Sequence, residues 1–334
     1  MLAAAGRQRV AGSRSIRARG TVVATLGHMA SPATAVAFVM ALAAAAPPDT
    51  PVQVQMRNVA LHVDADTILS IRQLRGELIS THPGAPPVFD DKNSFVVRID
   101  SAEIAITDAG LSQLLNRYVF AYDGSPLRHL DVTTEGRQLK VKGTIKKGVD
   151  VPFTIVADPR VDESGNLRLK PASIKALGLP AAGLMSFFGL EMDKLVKVKP
   201  GHGVKIDGND FVLIPSGLLP PPKIEGRLQS IRVEQGTVVQ IFGPGKAAPL
   251  QPPEPKTNYM YYRGGLLRFG KLTMTDTDME LIDPHPADPF DFFQERYNEQ
   301  LVAGYSKNTP SHGLKVYMPD YHSLSRARAT SGQK

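Results

Sequence analysis

Apolar and polar residues alternate along much of the chain between Phe95 and Phe242, and this pattern limits the possible folds more than any other feature. It is clearest in residues 138–155, where apolar side chains recur at every second position on both sides of a Lys-Lys-Gly segment. Period-two alternation around a glycine-bearing turn is typical of a β-hairpin. Lys140 and Lys142 fill outward positions, so one face meets water and the other needs an apolar cover. The sequence therefore predicts antiparallel strands whose inner face is covered by protein or by a ligand.

Two short apolar segments with helical spacing interrupt these strands. In residues 107–119, Thr107 or Asp108 can cap a helix that carries a one-sided apolar stripe. Residues 180–196 begin with a proline and are apolar on nearly every side. A helix of the second kind is buried in protein, membrane or ligand, and this one is too short to cross a bilayer. Periodicity alone does not separate a helix that covers a sheet from one that lines a lipid site.

Strands are also predicted on both sides of this region. Residues 52–63 alternate with a phase slip between Met56 and Val59, which indicates a bulge, and residues 68–79 continue or return the strand. A Pro-rich segment, residues 244–256, precedes further strand patterns and one short amphipathic helix between residues 259 and 318. The C-terminal region is therefore expected to be rich in β-structure.

The first 50 residues are typical of a leader and not of a folded segment. Five arginines and no acidic residue precede Asp49, and an Ala-rich apolar run covers residues 33–46. This arrangement favours a secretory signal peptide and a periplasmic or secreted location, with an organelle transit peptide as the alternative and Met29 as an alternative start. Without these arginines the formal charge of +7 falls to about +2, so we do not expect nucleic acid as a partner.

No catalytic or cofactor-binding motif accompanies the strands. The chain has no cysteine, which excludes disulfides, thiol catalysis and a lipid-modified N-terminal cysteine. Nucleophile-elbow, zinc-binding and dinucleotide-binding motifs are absent, so we expect a protein that is not an enzyme and has no metal or cofactor. The acidic residues Asp276, Asp278, Asp283, Asp288 and Asp291 are interpreted as solvated turn residues, with a cation site or a hydrolytic carboxylate pair as the alternative.

An aromatic and basic patch marks the start of the C-terminal region. Tyr259, Tyr261, Tyr262 and Arg263 are consecutive or nearly so, and alternating tyrosines are typical of a strand. Amphipathic rings beside arginine also suit the headgroup level of a membrane or the anionic end of a ligand. Peripheral membrane contact through these residues is the second hypothesis for the patch.

The order of these motifs is more informative than any one of them. The stretches that matter are residues 104–111 with the following Leu114 and Leu115, then residues 139–145, 151–153, 174–180 and 224–226. Together they resemble the LmeA-type phospholipid-binding family, whose members look similar to the tubular lipid-binding (TULIP-like) fold. The resemblance covers roughly residues 95–242, and residues from Tyr259 onward have no assigned counterpart.

This resemblance implies an exported α+β protein in which a curved antiparallel sheet wraps around apolar helices and encloses a groove for acyl chains. The expected function is noncatalytic binding or carriage of a phospholipid or other acyl lipid, and the alternative is a structural or scaffold protein of the cell envelope with no ligand. The residues expected in the groove are Leu111, Leu114, Leu115, Tyr118, Phe153, Leu184, Phe187 and Phe188. The expected segments are a leader (1–50), a lipid-binding-like domain (51–243), a Pro-rich linker (244–256), a β-rich C-terminal extension (257–322) and a disordered tail (323–334).

Overall fold

Period-two alternation dominates the sequence, and strands dominate the fold. The computed structural model describes residues 50–147, 149–176, 179–180 and 196–324, and of these 51% lie in strands and 12% are helical. The strands are β1 (Val52–His62), β2 (Ile68–Ser80), β3 (Phe95–Thr107), β4 (Leu127–Glu135), β5 (Gln138–Lys147), β6 (Val149–Val161), β7 (Leu167–Ala176), β8 (Leu179–Pro180), β9 (Val204–Asp207), β10 (Asp210–Leu213), β11 (Lys223–Glu225), β12 (Leu228–Glu234), β13 (Thr237–Phe242), β14 (Tyr259–Arg263), β15 (Leu267–Phe269), β16 (Leu272–Met274), β17 (Asp278–Ile282), β18 (Phe290–Phe293), β19 (Tyr305–Asn308) and β20 (Leu314–Tyr317).

The helical segments of the described residues are short. They are α1 (Asp108–Leu114), which continues as a π-helical turn (Leu115–Val119), α2 (Pro215–Leu218), a 3-10 turn (Gln294–Arg296), α3 (Tyr297–Ala303) and residues 321–324. In this part of the chain no helix is long and apolar enough to span a membrane.

Eleven strands form the large sheet, which curls into a half-barrel. Its order is β12-β13-β3-β2-β1-β14-β17-β20-β19, with β11 beside β3 and β18 beside β1, both in parallel. The long strands β1, β2 and β3 form an antiparallel meander. The C-terminal strands β14, β17, β18, β19 and β20 thus extend the same sheet that begins at Val52, whereas β15 and β16 form a separate two-stranded sheet.

The apolar pattern of β1 and β2 changes phase in the middle of both strands. Asn58, with a φ of 51°, has no cross-strand partner, and the β2–β3 register shifts between Ile71 and Gln73. Met56 and Leu74 before this point and Ile71 beyond it are all buried on the inner face. The predicted bulge is confirmed, and it keeps a single face of the sheet apolar although the alternation slips.

A second sheet of seven strands has the order β4-β5-β6-β7-β10-β9, with β8 beside β7. The predicted hairpin is confirmed as β5 and β6, with Gly143 opposite Phe153. A Cβ atom at position 143 would lie 2.7 Å from Leu130 Cδ2 and 2.9 Å from the Phe153 ring. Glycine at this position therefore lets the Phe153 ring lie across the neighbouring strand.

The first predicted helix is confirmed and lies where the two sheets meet. Thr107 ends β3 and caps α1, its Oγ1 accepting a hydrogen bond of 3.1 Å from the Gly110 amide. The helix contacts β4 of the second sheet more extensively than β3 of the large sheet. Its apolar stripe, including Leu114 and Val119, is buried as the periodicity predicts.

The expected α+β architecture, a curved sheet wrapped around apolar helices, is wrong. The described chain is mostly β, its helices have at most seven residues, and the large sheet is a curled half-barrel. The core consists largely of strand residues, such as Val52, Val54 and Val59 on β1. The expectation fails because apolar strand residues supply most of the core, and among the described residues no long helix forms its centre.

Candidate functional site

Three apolar cavities lie in a row through the interior, and we name them the front, junction and rear cavities. Their volumes are about 350, 50 and 50 Å³. The front and junction cavities share the lining residues Leu69, Ile104, Leu219 and Ile224, and the junction and rear cavities share Leu213. Neighbouring cavities are therefore separated only by apolar side chains that belong to the walls of both.

The front cavity lies against the inner face of β1, β2 and β3. The side chains of its apolar wall come from both sides of the phase change at Asn58, which turns them to the same face. These wall residues are Met56, Leu61, Leu69, Ile71, Leu74, Val97 and Ile104. Residues 219–222 close the opposite side of the cavity. A volume near 350 Å³ is within the range of pockets that hold small organic ligands, about 300–1,000 Å³.

Polar side chains at residues 90–93 and 294–295 form the mouth of the front cavity. Lys92 forms an ion pair with Glu295. Asp90 accepts hydrogen bonds from the Tyr297 hydroxyl and, at 2.9 Å, from the Gly270 amide. Burial and the bond to Asp90 both raise the pKa of Tyr297, so the phenol stays a donor. With Asp91, three carboxylates and one lysine surround the mouth, which is therefore acidic.

His62 is a buried polar residue in the lining of the front cavity. It ends β1, lines the front cavity and has a side chain only 9% exposed. Its Nε2 donates to the carboxylate of Asp291, and its ring stacks on Phe293 with the ring centroids 5.2 Å apart. Its Nδ1 is buried and has no hydrogen-bond partner among the described residues. A buried polar atom without a partner is unusual in a folded protein and requires a physical explanation.

The Asp291 carboxylate, unlike His62 Nδ1, has several hydrogen-bond partners. Besides His62, its carboxylate accepts from the His322 amide at 2.9 Å and contacts His322 Nδ1 at 2.6 Å. Burial alone would raise the pKa of Asp291, but the hydrogen bonds from His62 and His322 lower it below the ordinary value. Asp291 therefore stays ionised and can only accept hydrogen bonds from His62.

Four of the five predicted lipid-site residues that the structure describes, three leucines and one phenylalanine, line the smaller cavities. Leu111 and Leu114 of α1 line the junction cavity, and Leu115 and Phe153 line the rear cavity. Every side chain on the wall of the rear cavity is apolar: Leu115, Phe120, Leu127, Leu130, Val141, Phe153, Ile155, Ala157, Leu169, Val204, Phe211 and Leu213. The predicted residues Leu184, Phe187 and Phe188 lie outside the described residues.

Tyr118, the remaining predicted residue, has a different environment. Its hydroxyl donates to the carboxylate of Asp64, and it is not part of the lining of the three cavities. Burial and this bond raise the pKa of Tyr118 to about 12. Burial would raise the pKa of Asp64, but hydrogen bonds from Tyr118 and from the amides of Asp66 and Thr67 lower it to about 2. The pair fixes the end of the helical segment to the β1–β2 turn.

The aromatic residues of the C-terminal patch are buried. Tyr259, Tyr261 and Tyr262 lie on β14 between β1 and β17 and are at most 4% exposed. Arg263 is exposed and approaches the Asp278 carboxylate at 3.4 Å. Peripheral membrane contact stays a prediction, and Arg263 is the exposed member of the patch.

The acidic residues of the C-terminal region lie in two places. Asp283 and Asp288 are close enough to Asp320 to raise its pKa. Asp283 and Asp291 are buried, so the interpretation as solvated turn residues is wrong for these two. Asp283 accepts from Asn258 at 3.0 Å and from the His285 amide at 2.7 Å. Asp276 and Asp278 instead lie beside Arg263. Among the described residues no group of His, Asp or Glu has an arrangement that could hold a metal ion.

Comparisons with the profiles of known protein families, with curated proteins and with solved structures find no match. The resemblance to LmeA-type proteins therefore stays a prediction. The assignment of function depends on the cavities and on the side chains that line them.

Sequence reasoning did not select the front cavity. The alternation in residues 52–63 and 68–79 indicated strands, but strand patterns do not show whether the buried face meets protein or empty space. The sequence also gives no clear indication that His62 belongs to a site, because its partner Asp291 is 229 residues away in the chain. The segment that closes the cavity contains a cis peptide bond between Pro221 and Pro222.

Proposed function

We propose that this protein binds a lipid or another amphipathic molecule in the front cavity, without catalysis. The observation that carries the proposal is a cavity of about 350 Å³ with an apolar wall and a polar mouth. Such a division suits a ligand with a hydrocarbon tail and a polar head, since each buried methylene contributes about 0.8 kcal/mol.

Two features of the sequence support this proposal. The motif order resembles a phospholipid-binding family, and the leader-like first 50 residues favour an exported protein. Lipids are poorly soluble in water, so an exported protein that shields an acyl chain could act as a carrier. The alternative is a cell-envelope protein whose cavities have no ligand.

The test is to fill the front cavity with protein. Leu61 lines this cavity and is only partly buried, so Leu61→Trp should place an indole in the space that a tail would occupy. Loss of several buried methylenes at about 0.8 kcal/mol each predicts at least a tenfold weaker affinity for a fluorescent acyl probe. The matched control is Leu272→Trp, since Leu272 is 45% exposed on the small sheet of β15 and β16 and lines none of the three cavities.

Thermal unfolding of both variants separates loss of binding from loss of fold. The proposal is supported if Leu61→Trp is folded and binds weakly while Leu272→Trp binds like the wild type. It fails if the wild-type protein takes up no acyl probe and carries no lipid in native mass spectrometry. Unchanged affinity in a folded Leu61→Trp variant would exclude the front cavity as the site.

A further inference from the structure

A polar cavity lies on the outer face of the large sheet, and we name it the arginine cavity. Its volume is about 530 Å³, and its lining includes Arg57, Arg72 and Arg75. On β1, Arg57 follows Met56, and on β2, Arg75 follows Leu74. Met56 and Leu74 belong to the wall of the front cavity. Since successive side chains of a strand point to opposite faces, the arginine cavity and the front cavity lie on opposite sides of the same two strands.

Strand register brings the arginines of this cavity together. Arg57 is opposite Gln73 and Arg75 is opposite Gln55, so the two arginines are diagonal neighbours, about 7–8 Å apart. Arg72 lies beside them, where the register of β2 shifts. Among the described residues, the lining of the arginine cavity contains no aspartate or glutamate. Three positive charges therefore face one cavity whose own wall supplies no negative charge.

The charge of Arg72 is compensated, whereas the charges of Arg57 and Arg75 are not. Arg72 donates to Glu103 at 2.7 Å and to Glu234 at 3.2 Å. Arg57 and Arg75 form no ion pair with a carboxylate of the described residues, and each donates instead to a backbone carbonyl of residues 244–256, at 2.8 and 2.7 Å. Because a carbonyl dipole does not cancel a full charge, the two neighbouring guanidinium groups repel each other.

The half-buried position of Arg75 adds to the cost of this arrangement. Burial is the largest cause of the lowered pKa of Arg75, and the carboxylates of Asp100 and Glu77 only partly oppose it. The guanidinium nevertheless stays charged at neutral pH. A counter-ion in the arginine cavity would offset both the desolvation of Arg75 and its repulsion by Arg57.

Two adjacent guanidinium groups suit a tetrahedral oxyanion better than a carboxylate. Each guanidinium is a planar fork of donors that fits two oxygens. One arginine can occupy both oxygens of a carboxylate, whereas a phosphate monoester has three free oxygens and a charge of about −1.5 to −2 at pH 7. This charge matches Arg57 and Arg75 together. Gln73 and Ser101 line the same cavity and carry further donors.

We propose that the arginine cavity binds a phosphate group through Arg57 and Arg75. This site is separate from the front cavity, so the proposal does not depend on the function proposed above. Residues 245, 247 and 249 border the cavity, and a volume near 530 Å³ leaves room for part of the molecule that carries the group. The group belongs either to a soluble phosphate compound or to a lipid head. Binding makes and breaks no covalent bond.

The experiment measures binding of inorganic phosphate to the full chain by isothermal titration calorimetry at neutral pH and low ionic strength. Phosphate should bind roughly tenfold more tightly than acetate, because only phosphate can contact both arginines. If phosphate does not bind, or if acetate binds equally well, the proposal is wrong. Dihexanoyl-phosphatidic acid in the same assay distinguishes the sources: equal affinity indicates a soluble phosphate compound, and a gain in affinity that is lost in the arginine variants indicates a lipid head.

Arg57→Gln tests the assignment of the binding residues. Arg57 is exposed, so its substitution should leave the fold intact, and loss of one charge-assisted contact should weaken phosphate binding roughly tenfold. The matched control is Arg128→Gln, which removes the same charge from an exposed position on β4 that lines none of the four cavities. The control should bind phosphate within about twofold of the wild type. Equal weakening in both variants, or in neither, would overturn the assignment.

A measurement on the wild-type protein does not depend on the folding of a variant. The side-chain Nε–H NMR resonances of Arg57 and Arg75 should move when phosphate is added, whereas that of Arg128 should not. Calorimetric binding without movement of the Arg57 and Arg75 resonances would place the phosphate elsewhere and contradict the proposal.

Discussion

The aromatic rings around Phe89 pack against one another, whereas the phenylalanines of the second sheet border a cavity. Around Phe89, the rings of Tyr262, Phe269, Phe292 and Tyr297 lie with centroids 5.1–6.1 Å from its own, in tilted or edge-to-face geometry. In the second sheet the phenylalanines instead border the rear cavity, and they are joined there by aliphatic residues.

The aromatic cluster around Phe89 is filled by its own side chains, whereas the interior beside the second sheet contains a void. Interdigitated rings have neighbours on all sides, so each gains its full share of dispersion contacts. Side chains that border a void lack those contacts on one side, and another molecule could supply them. We therefore expect the aromatic cluster around Phe89 to contribute mainly to stability, and the proposed ligand to bind in the cavity-lined interior.

The same truncation in each region should give the largest contrast. Phe292→Ala removes a fully buried ring from the aromatic cluster and should lower the free energy of unfolding by about 5 kcal/mol. Phe153→Ala removes a ring that already borders a cavity, so it loses fewer contacts and should cost about 3 kcal/mol. Chemical denaturation of the two variants measures both values. Equal costs would show that the second sheet is packed as tightly as the aromatic cluster.

Substitution of a glycine by alanine tests the same contrast by adding volume to each region. A Cβ at Gly76, on β2, would lie 2.3 Å from the Arg98 carbonyl oxygen, which belongs to the backbone of the paired strand. Gly76→Ala must therefore displace a strand and should cost about 3 kcal/mol. A Cβ at Gly143 would meet only the ends of Leu130 and Phe153, both of which border the rear cavity.

Since those two side chains can move into the rear cavity, Gly143→Ala should cost about 1 kcal/mol or less. Thermal or denaturant unfolding of the two variants tests this expectation. A large cost at position 143 would mean that the cavity walls are rigid. In that case a ligand would have to fit the rear cavity as it is, and the wall would not adapt to it.

Local sequence patterns were sufficient for the individual elements. Alternation in residues 138–155 predicted the β5–β6 hairpin, and Thr107 with the leucine stripe predicted α1, because these signals involve residues close in sequence. The phase slip near Asn58 predicted the bulge for the same reason. The architecture was not predictable in this way, since β14 pairs with β1 about 200 residues earlier. No local signal showed that tyrosines 259, 261 and 262 fill the centre of a sheet.

The candidate site was predicted only in its apolar character. Periodicity identified Leu111, Leu114 and Phe153 as buried, but burial against protein and burial against a cavity give the same sequence pattern. The polar part requires the fold, because the mouth combines residues 90–93 with residues 294–295. Their meeting depends on long-range strand pairing, such as that of β18 with β1.

The packed region should also differ from the cavity region in its response to pH. Glu280 of β17 is fully buried; one carboxylate oxygen accepts from the Glu254 amide at 3.0 Å, and the other has no partner among the described residues. Burial, and then repulsion from Glu254, raises the pKa of Glu280 from 4.5 to about 7. The folded state therefore holds a proton that the unfolded state releases. Stability should fall as the pH rises from 4.5 to about 7, by about 2 kcal/mol.

Glu280→Gln removes this titration, so the variant should be more stable than the wild type above the pKa of Glu280 and should approach it in stability at low pH. The measurement is the free energy of unfolding across this pH range for both proteins. The difference between them is the relevant quantity, because burial also raises the pKa of Asp320 to about 6 and both proteins share that titration. If the two stability curves stay parallel, Glu280 ionises without cost in the folded state. The packing around β17 would then be looser than its burial indicates, and the contrast with the cavity region would weaken.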